Sequence, residues 1–365
     1  GLPVGEAPER TIGLTGRVYG AIRGVTHGIG AGIDGVLHSV MPLIDGPARG
    51  DPDSPAREAV LAAVNGVLGD RLAAMGSSLA QPMELRLNGR LLDPARPALT
   101  AVGADRVAPH LLLMVHGLCM NDTQWRRSGH DHTDVARDAL KATPVHLRYN
   151  SGLHIAANGR ELAGRLERLV DQWPVPLQGI TVVGHSMGGL VARSAVHEAR
   201  RAGFRWPDRL SHLVFLGTPH HGAPLERAGH GADLLLASSP VSAPLAPLGR
   251  LRSAGITDQR RAPRQHPDSG RPDDPLPLPE GVACFAVAAC LAPRRGLLAE
   301  RLVGDGLVPL RSALGEHDDP RRTLAFARDS LHVVHRTGHL DLLSSPAVAD
   351  RLRHWLAPAA VASID

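Results

Sequence analysis

An α/β domain, built on a mostly parallel central sheet with helices on both faces, is what this sequence predicts, and three observations predict it. Beyond residue 110, short apolar runs alternate with stretches of helical periodicity: Leu111 to Val115, Val145 to Tyr149, Ile180 to Val183, Leu213 to Leu216, Val282 to Ala289 and Leu324 to Ala327. The run Gly184-His185-Ser186-Met187-Gly188 stands directly between one of these candidate strands and the helix-forming Leu190-Val191-Ala192-Arg193. The alternation breaks over residues 220–279, which reads as an insertion into one domain.

Composition agrees with that class. A chain of 365 residues suits one principal domain carrying extra segments. Its hydrophobic (43%) and charged (21%) fractions are those of a soluble globular protein, and aromatics at 3% leave a core of mostly Leu, Val and Ala. Net charge is only +4, with the basic residues spread along the chain, which argues against nucleic acid as a partner. Lys141 is the one lysine among the 40 basic residues, a bias of composition more than a binding surface. The cysteines, Cys119, Cys284 and Cys290, are odd in number, and the last two share one extended run that holds them apart, so no disulfide framework is indicated. No signal-peptide pattern and no uninterrupted apolar run of 18 residues is present, so the expected location is cytoplasmic. The sequence opens on Gly1, so a removed leader, and with it export, stays open.

Residues 1–80 read as an N-terminal helical extension, and 81–365 as the main domain. From Leu14 to Val40 apolar residues recur at steps of three and four, while Gly16, Gly20, Gly24, Gly28 and Gly32 form a parallel ridge. Such a ridge lets another backbone approach closely, which offers packing on its own domain, a homodimer, or contact with a membrane surface. A second helix is signalled by Ser54 as N-cap, Pro55 at the first helical position, then Val60, Leu61, Val64, Leu68 and Leu72, with Gly76 as a stop. Its purpose is not readable from sequence. Met83 to Leu87 alternates, Asn88-Gly89 supplies a tight turn, and Leu91-Leu92 resumes, which predicts a β-hairpin. In the insertion, Leu225, Leu234, Leu235, Leu236, Leu245, Leu248 and Leu251 suggest a helical lid or cap, followed by a Pro/Arg/Asp-rich stretch.

The chemistry is carried by the G-x-S-x-G run. A sharp strand-to-helix turn there forces unusual backbone angles on Ser186 and lifts its hydroxyl above the sheet. A serine hydroxyl is a poor nucleophile until a base takes its proton, so a histidine oriented by a carboxylate must follow, in the chain order Ser, Asp, His. Asp305, in Gly304-Asp305-Gly306-Leu307-Val308-Pro309, is the candidate acid, with Asp329, Asp319 and Asp341 as rivals. His339, in Gly338-His339-Leu340-Asp341, follows the last strand and is the candidate general base; His332 and His335 are the rivals. His220 and His221 fit less well, since they precede the acid. Two backbone N–H groups must also face the developing oxyanion, and the candidates are Met187, directly after the nucleophile, and Leu118, in the loop after the Leu111–Val115 strand. His116 and His185 are then shaping residues, and Cys119 a buried small one.

Together Val115-His116-Gly117-Leu118, Gly184 to Gly189, Gly217-Thr218-Pro219-His220-His221-Gly222, Gly304 to Pro309 and Gly338 to Asp341 resemble the α/β-hydrolase lipase/esterase superfamily. The similarity is greatest to bacterial lipases and the GPI inositol-deacylase-like branch, and it spans roughly residues 110 to 357. The resemblance implies ester hydrolysis through an acyl-serine intermediate on moderately hydrophobic substrates, with Leu118 and Met187 as oxyanion donors. Neither a cofactor nor a metal is expected. Acyl transfer through the same intermediate, or a non-catalytic binding protein on this fold, are the other readings.

Overall fold

The computed structural model describes residues 54–92, 107–222, 253, 257, 276–293 and 304–357. The glycine-ridged segment 14–40 lies outside the described residues, as does the stretch 220–279 expected to form a lid, apart from 220–222, Ser253, Thr257 and 276–279. Among the described residues, no helix is long and apolar enough to cross a membrane.

The first element, α1 (Pro55–Ala74), starts where its cap signals place it, with Pro55 in the first turn, and ends just before Gly76, whose φ of +62° turns the chain away. Strands β1 (Glu84–Leu87) and β2 (Arg90–Leu91) form the expected hairpin, with Asn88 at φ 51° and Gly89 at φ 76°, as a tight two-residue turn requires. There follow β3 (His110–Val115), the short hairpin β4 (Arg126–Arg127) and β5 (His130–Asp131), α2 (His132–Leu140), β6 (Thr143–Arg148) and α3 (Ile155–Asp171). The second half supplies β7 (Gly179–His185), α4 (Met187–Arg201), β8 (Leu210–Leu216), β9 (Ala283–Cys290), the single turn α5 (Leu310–Ala313), β10 (Leu331–His335) and α6 (Pro346–Leu356).

Eight of these strands form one sheet in the order β10-β9-β8-β7-β3-β6-β1-β2. Strands β3 and β6 to β10 run parallel, and the β1–β2 hairpin joins antiparallel at the β6 edge. Because successive side chains on a strand point to opposite faces, the parallel strands feed two cores. Leu111, Leu113 and Val115 of β3 pack with α1, α3 and α4 on one face, whereas Leu112 and Met114 pack with α2 and α6 on the other. This arrangement is the α/β-hydrolase fold that the motifs predicted.

One sequence expectation is corrected. The apolar run Leu324 to Ala327 is loop, and the last strand is β10, which holds His332 and His335. Leu324 is buried because the loop folds against Gly315, its N–H donating to the Gly315 carbonyl at 2.8 Å; the apolarity serves loop packing, with no ladder partner.

Candidate active site

β6 lies on one side of β3 and β7 on the other, so the sheet's connections reverse at β3 and open a crevice at the carboxyl ends of these strands. The loops after β3 and β7 both enter it. Ser186 follows β7 with φ 53° and ψ −124°, a conformation costly for any residue with a side chain, and its N–H donates to the Leu216 carbonyl of β8 at 2.8 Å. The tight turn needs Gly188, since a Cβ there would collide with the Val115 and His116 carbonyl oxygens. Ser186 is 3% exposed. Helix α4 begins at Met187, so the positive end of its dipole lies next to the serine.

Asp305 and His339 meet although 34 residues separate them: His339 Nδ1 lies 2.6 Å from Asp305 Oδ2. The other carboxylate oxygen accepts the N–H groups of Leu307 (2.9 Å) and Val308 (2.7 Å), and the His339 N–H donates to the Asp305 carbonyl at 3.1 Å. Gly304 (φ 50°) and Gly306 (φ 95°) supply the left-handed backbone that curls the loop around its own acid. With Nδ1 donating to the carboxylate, Nε2 is the basic nitrogen, and among the described residues it is buried with no hydrogen-bond partner. The ring lies beside Gly217, the residue after Leu216, whose carbonyl receives the Ser186 N–H, so His339 stands near the turn that carries Ser186.

The rivals are elsewhere. Asp341 accepts the Gly338 N–H, Asp319 caps a short 3-10 turn and pairs with Arg321, and Asp329 lies in the 3-10 turn before β10. His332 packs edge-on to Trp355 of α6. His220 accepts from the buried Arg193 guanidinium at 3.0 Å, and burial beside that cation pushes its pKa well below the usual histidine value.

At its start, the loop after β3 is held by neutral groups. The Tyr149 N–H donates to His116 Nε2 (3.4 Å), which leaves Nδ1–H to donate to the Gly117 carbonyl (2.8 Å), and the rings stack at 4.4 Å. Burial lowers the His116 pKa to about 4. His185 Nε2 lies 3.2 Å from the His339 carbonyl, its ring 4.8 Å from the His339 ring, and burial holds it uncharged as well. Leu118 and Met187 are buried, and among the described residues their N–H groups make none of the backbone hydrogen bonds of the turns and loops.

Sequence reading missed a buried ion cluster behind this loop. Arg148, at the end of β6, donates to Asp122 Oδ1 at 2.5 Å and also to Glu58 of α1. A charged residue closing the strand Thr143–Arg148 was the one signal for it. The three cysteines are free and buried, and among the described residues no group of three His, Cys, Asp or Glu could hold a metal ion.

Comparison with known proteins found the following likenesses. Solved structures that resemble it include a mature lipase, BlEst2, from Bacillus licheniformis (18% identity, 76% of this chain and 100% of that one, TM-score 0.44). A thioesterase, RedJ, of the prodiginine pathway in Streptomyces coelicolor shares 19% identity over 72% of this chain and 87% of that one, at a TM-score of 0.41. A thermophilic esterase shares 15% over 67% and 88%, also at 0.41. Likeness at that level carries neither a substrate nor a residue role. No curated protein sequence matches the chain significantly. Residues 108–237, the stretch from β3 through the serine turn and past β8, match the family model of the PGAP1-like alpha/beta domain.

Proposed function

We propose that the protein hydrolyses carboxylic esters through an acyl-serine intermediate. The observation that carries this is the buried Asp305–His339 pair, its Nε2 unpartnered, beside a serine held in a strained strand-to-helix turn. Ser186 Oγ attacks the ester carbonyl carbon as His339 Nε2 takes its proton, and Asp305 holds the ring and stabilises the imidazolium that forms. The carbonyl oxygen becomes an oxyanion facing the Leu118 and Met187 N–H groups, each worth on the order of 3 kcal/mol to the transition state. Collapse expels the alcohol, which takes the proton from His339. Water, deprotonated by the same ring, then attacks the acyl carbon, frees the acid and returns Ser186.

A moderately hydrophobic substrate fits the surroundings. Leu291, 49% exposed, lies beside Gly306 and Gly338 of the acid and base loops, where it offers apolar surface next to the reacting groups. The test is a p-nitrophenyl ester panel from acetate to palmitate on the intact chain and on Ser186→Ala. Activity with a short- or medium-chain optimum, abolished in the variant, is expected; activity that survives the substitution would remove Ser186 from the mechanism.

A further inference from the structure

Helix α1 precedes the sheet in sequence, yet it packs against the loop that carries Leu118. A Cβ on Gly66 would lie 2.8 Å from Cys119 Cα and 2.9 Å from Cys119 N, so helix and loop touch backbone to backbone at the residue after Leu118. Cys119 itself sits at φ 58°, and its N–H donates to Ser151 Oγ at 3.0 Å. At the far end of the same loop, Asp122 is tied through Arg148 to Glu58 in the first turn of α1, and all three side chains are at most 12% exposed. Arg86 of β1 adds a second cation, 3.6 Å from Asp122. The helix also reaches the loop after β6, where Asn150 donates to the Gly69 carbonyl at 2.9 Å, and the lid, where Ser253 donates to the Gly66 carbonyl at 2.6 Å.

A buried ion cluster adds little net stability compared with apolar residues of the same volume, since desolvation offsets the attraction. What it supplies is a fixed geometry, and here the geometry belongs to the loop between Asp122 and the end of β3. We propose that α1 is a positioning element of the catalytic loop: Glu58, through Arg148 and Asp122, and Gly66, against Cys119, are the positioning residues that fix the direction of the Leu118 N–H. This inference rests on the reading of Ser186 as nucleophile. It assigns no chemistry to α1; the helix sets where an oxyanion donor points, a placement to which rates respond steeply at the ångström scale.

The test uses the full chain and the variants Glu58→Gln and Gly66→Ala. It reads kcat and KM for the best p-nitrophenyl ester, the rate preference for that ester over its thionoester, and labelling of Ser186 by a fluorophosphonate. Sulfur accepts hydrogen bonds poorly, so a well-aimed oxyanion donor favours the oxygen ester, and a displaced one loses that preference. Expected are a kcat lower by about tenfold to a hundredfold, KM within about twofold, and a matching fall in the oxygen-over-sulfur preference, with a cooperative melt retained. A folded variant with full kcat and intact preference overturns the proposal. If Glu58→Gln does not fold, Gly66→Ala carries the test, and loss of folding in both overturns the proposal in favour of a stabilising role. An intact chain that neither hydrolyses esters nor labels at Ser186 overturns the underlying nucleophile reading, and is distinguishable because no variant is needed to see it.

Discussion

Asp305→Asn separates what the carboxylate does for chemistry from what it does for the fold. Oδ1 accepts two backbone N–H groups, and an asparagine carbonyl oxygen in the same place keeps both, so the loop retains its hydrogen bonds. At Oδ2 the amide nitrogen is a donor 2.6 Å from His339 Nδ1, which forces the ring proton onto Nε2, the nitrogen that must accept from Ser186. A base in the wrong tautomer cannot act, and the expected loss is about 10⁴-fold in kcat, or about 5.5 kcal/mol of barrier. The loss in folding stability should stay near 1 kcal/mol, that of one charge-assisted hydrogen bond exchanged for a neutral one. Asp305→Ala reverses the balance: the buried Val308 N–H and the part-buried Leu307 N–H lose their acceptor, the buried one at about 1–3 kcal/mol, in addition to the catalytic loss. Initial rates on a p-nitrophenyl ester and urea denaturation of both variants measure the two effects. Asparagine activity within tenfold of the intact chain would refute the assignment of Asp305 as the orienting acid.

Ser186→Gly should be inactive yet more stable by about 1 kcal/mol, because glycine relieves the strained backbone at φ 53° while giving back part of the gain as unfolded-state entropy; a lower denaturation midpoint would contradict the strain argument. Arg148→Met should cost about 3–5 kcal/mol, since it leaves Glu58 and Asp122 buried without the cation between them, and a midpoint unchanged from the intact chain would show the cluster to be energetically idle. His116 titrates at about 4 when folded and near 6.5 when unfolded, so on acidification below about 6.5 the unfolded chain binds the proton first. The stability it contributes above that pH, up to about 3 kcal/mol, is therefore lost as pH falls toward 4. His132, also lowered to about 4 by burial, acts in the same direction. Melting temperature should fall from pH 7 to 4, less steeply in His116→Gln; equal slopes in the two proteins would contradict the burial argument.

The amino-acid sequence by itself determined the elements whose signals are local. Asn88-Gly89 wrote the hairpin turn, Ser54-Pro55 the start of α1, and the run from Gly184 to Gly188 the strand-to-helix turn at Ser186, because backbone sterics of a few adjacent residues decide each of them. It also limited the acid and base to short lists through chain order. Only the tertiary structure shows which of the four carboxylates pairs with His339, Asp305 at 2.6 Å, since sequence carries no distances. It likewise moved the last strand from Leu324–Ala327 to Leu331–His335, where β9 offers a ladder partner, while the former run spends its apolar surface on a loop. The role of α1 was hidden for the same reason. Glu58 and Gly66 look like an ordinary first-turn acid and a weak point in a helix, and they acquire meaning only from Arg148 and Cys119, whose approach is fixed by the packing of the whole sheet.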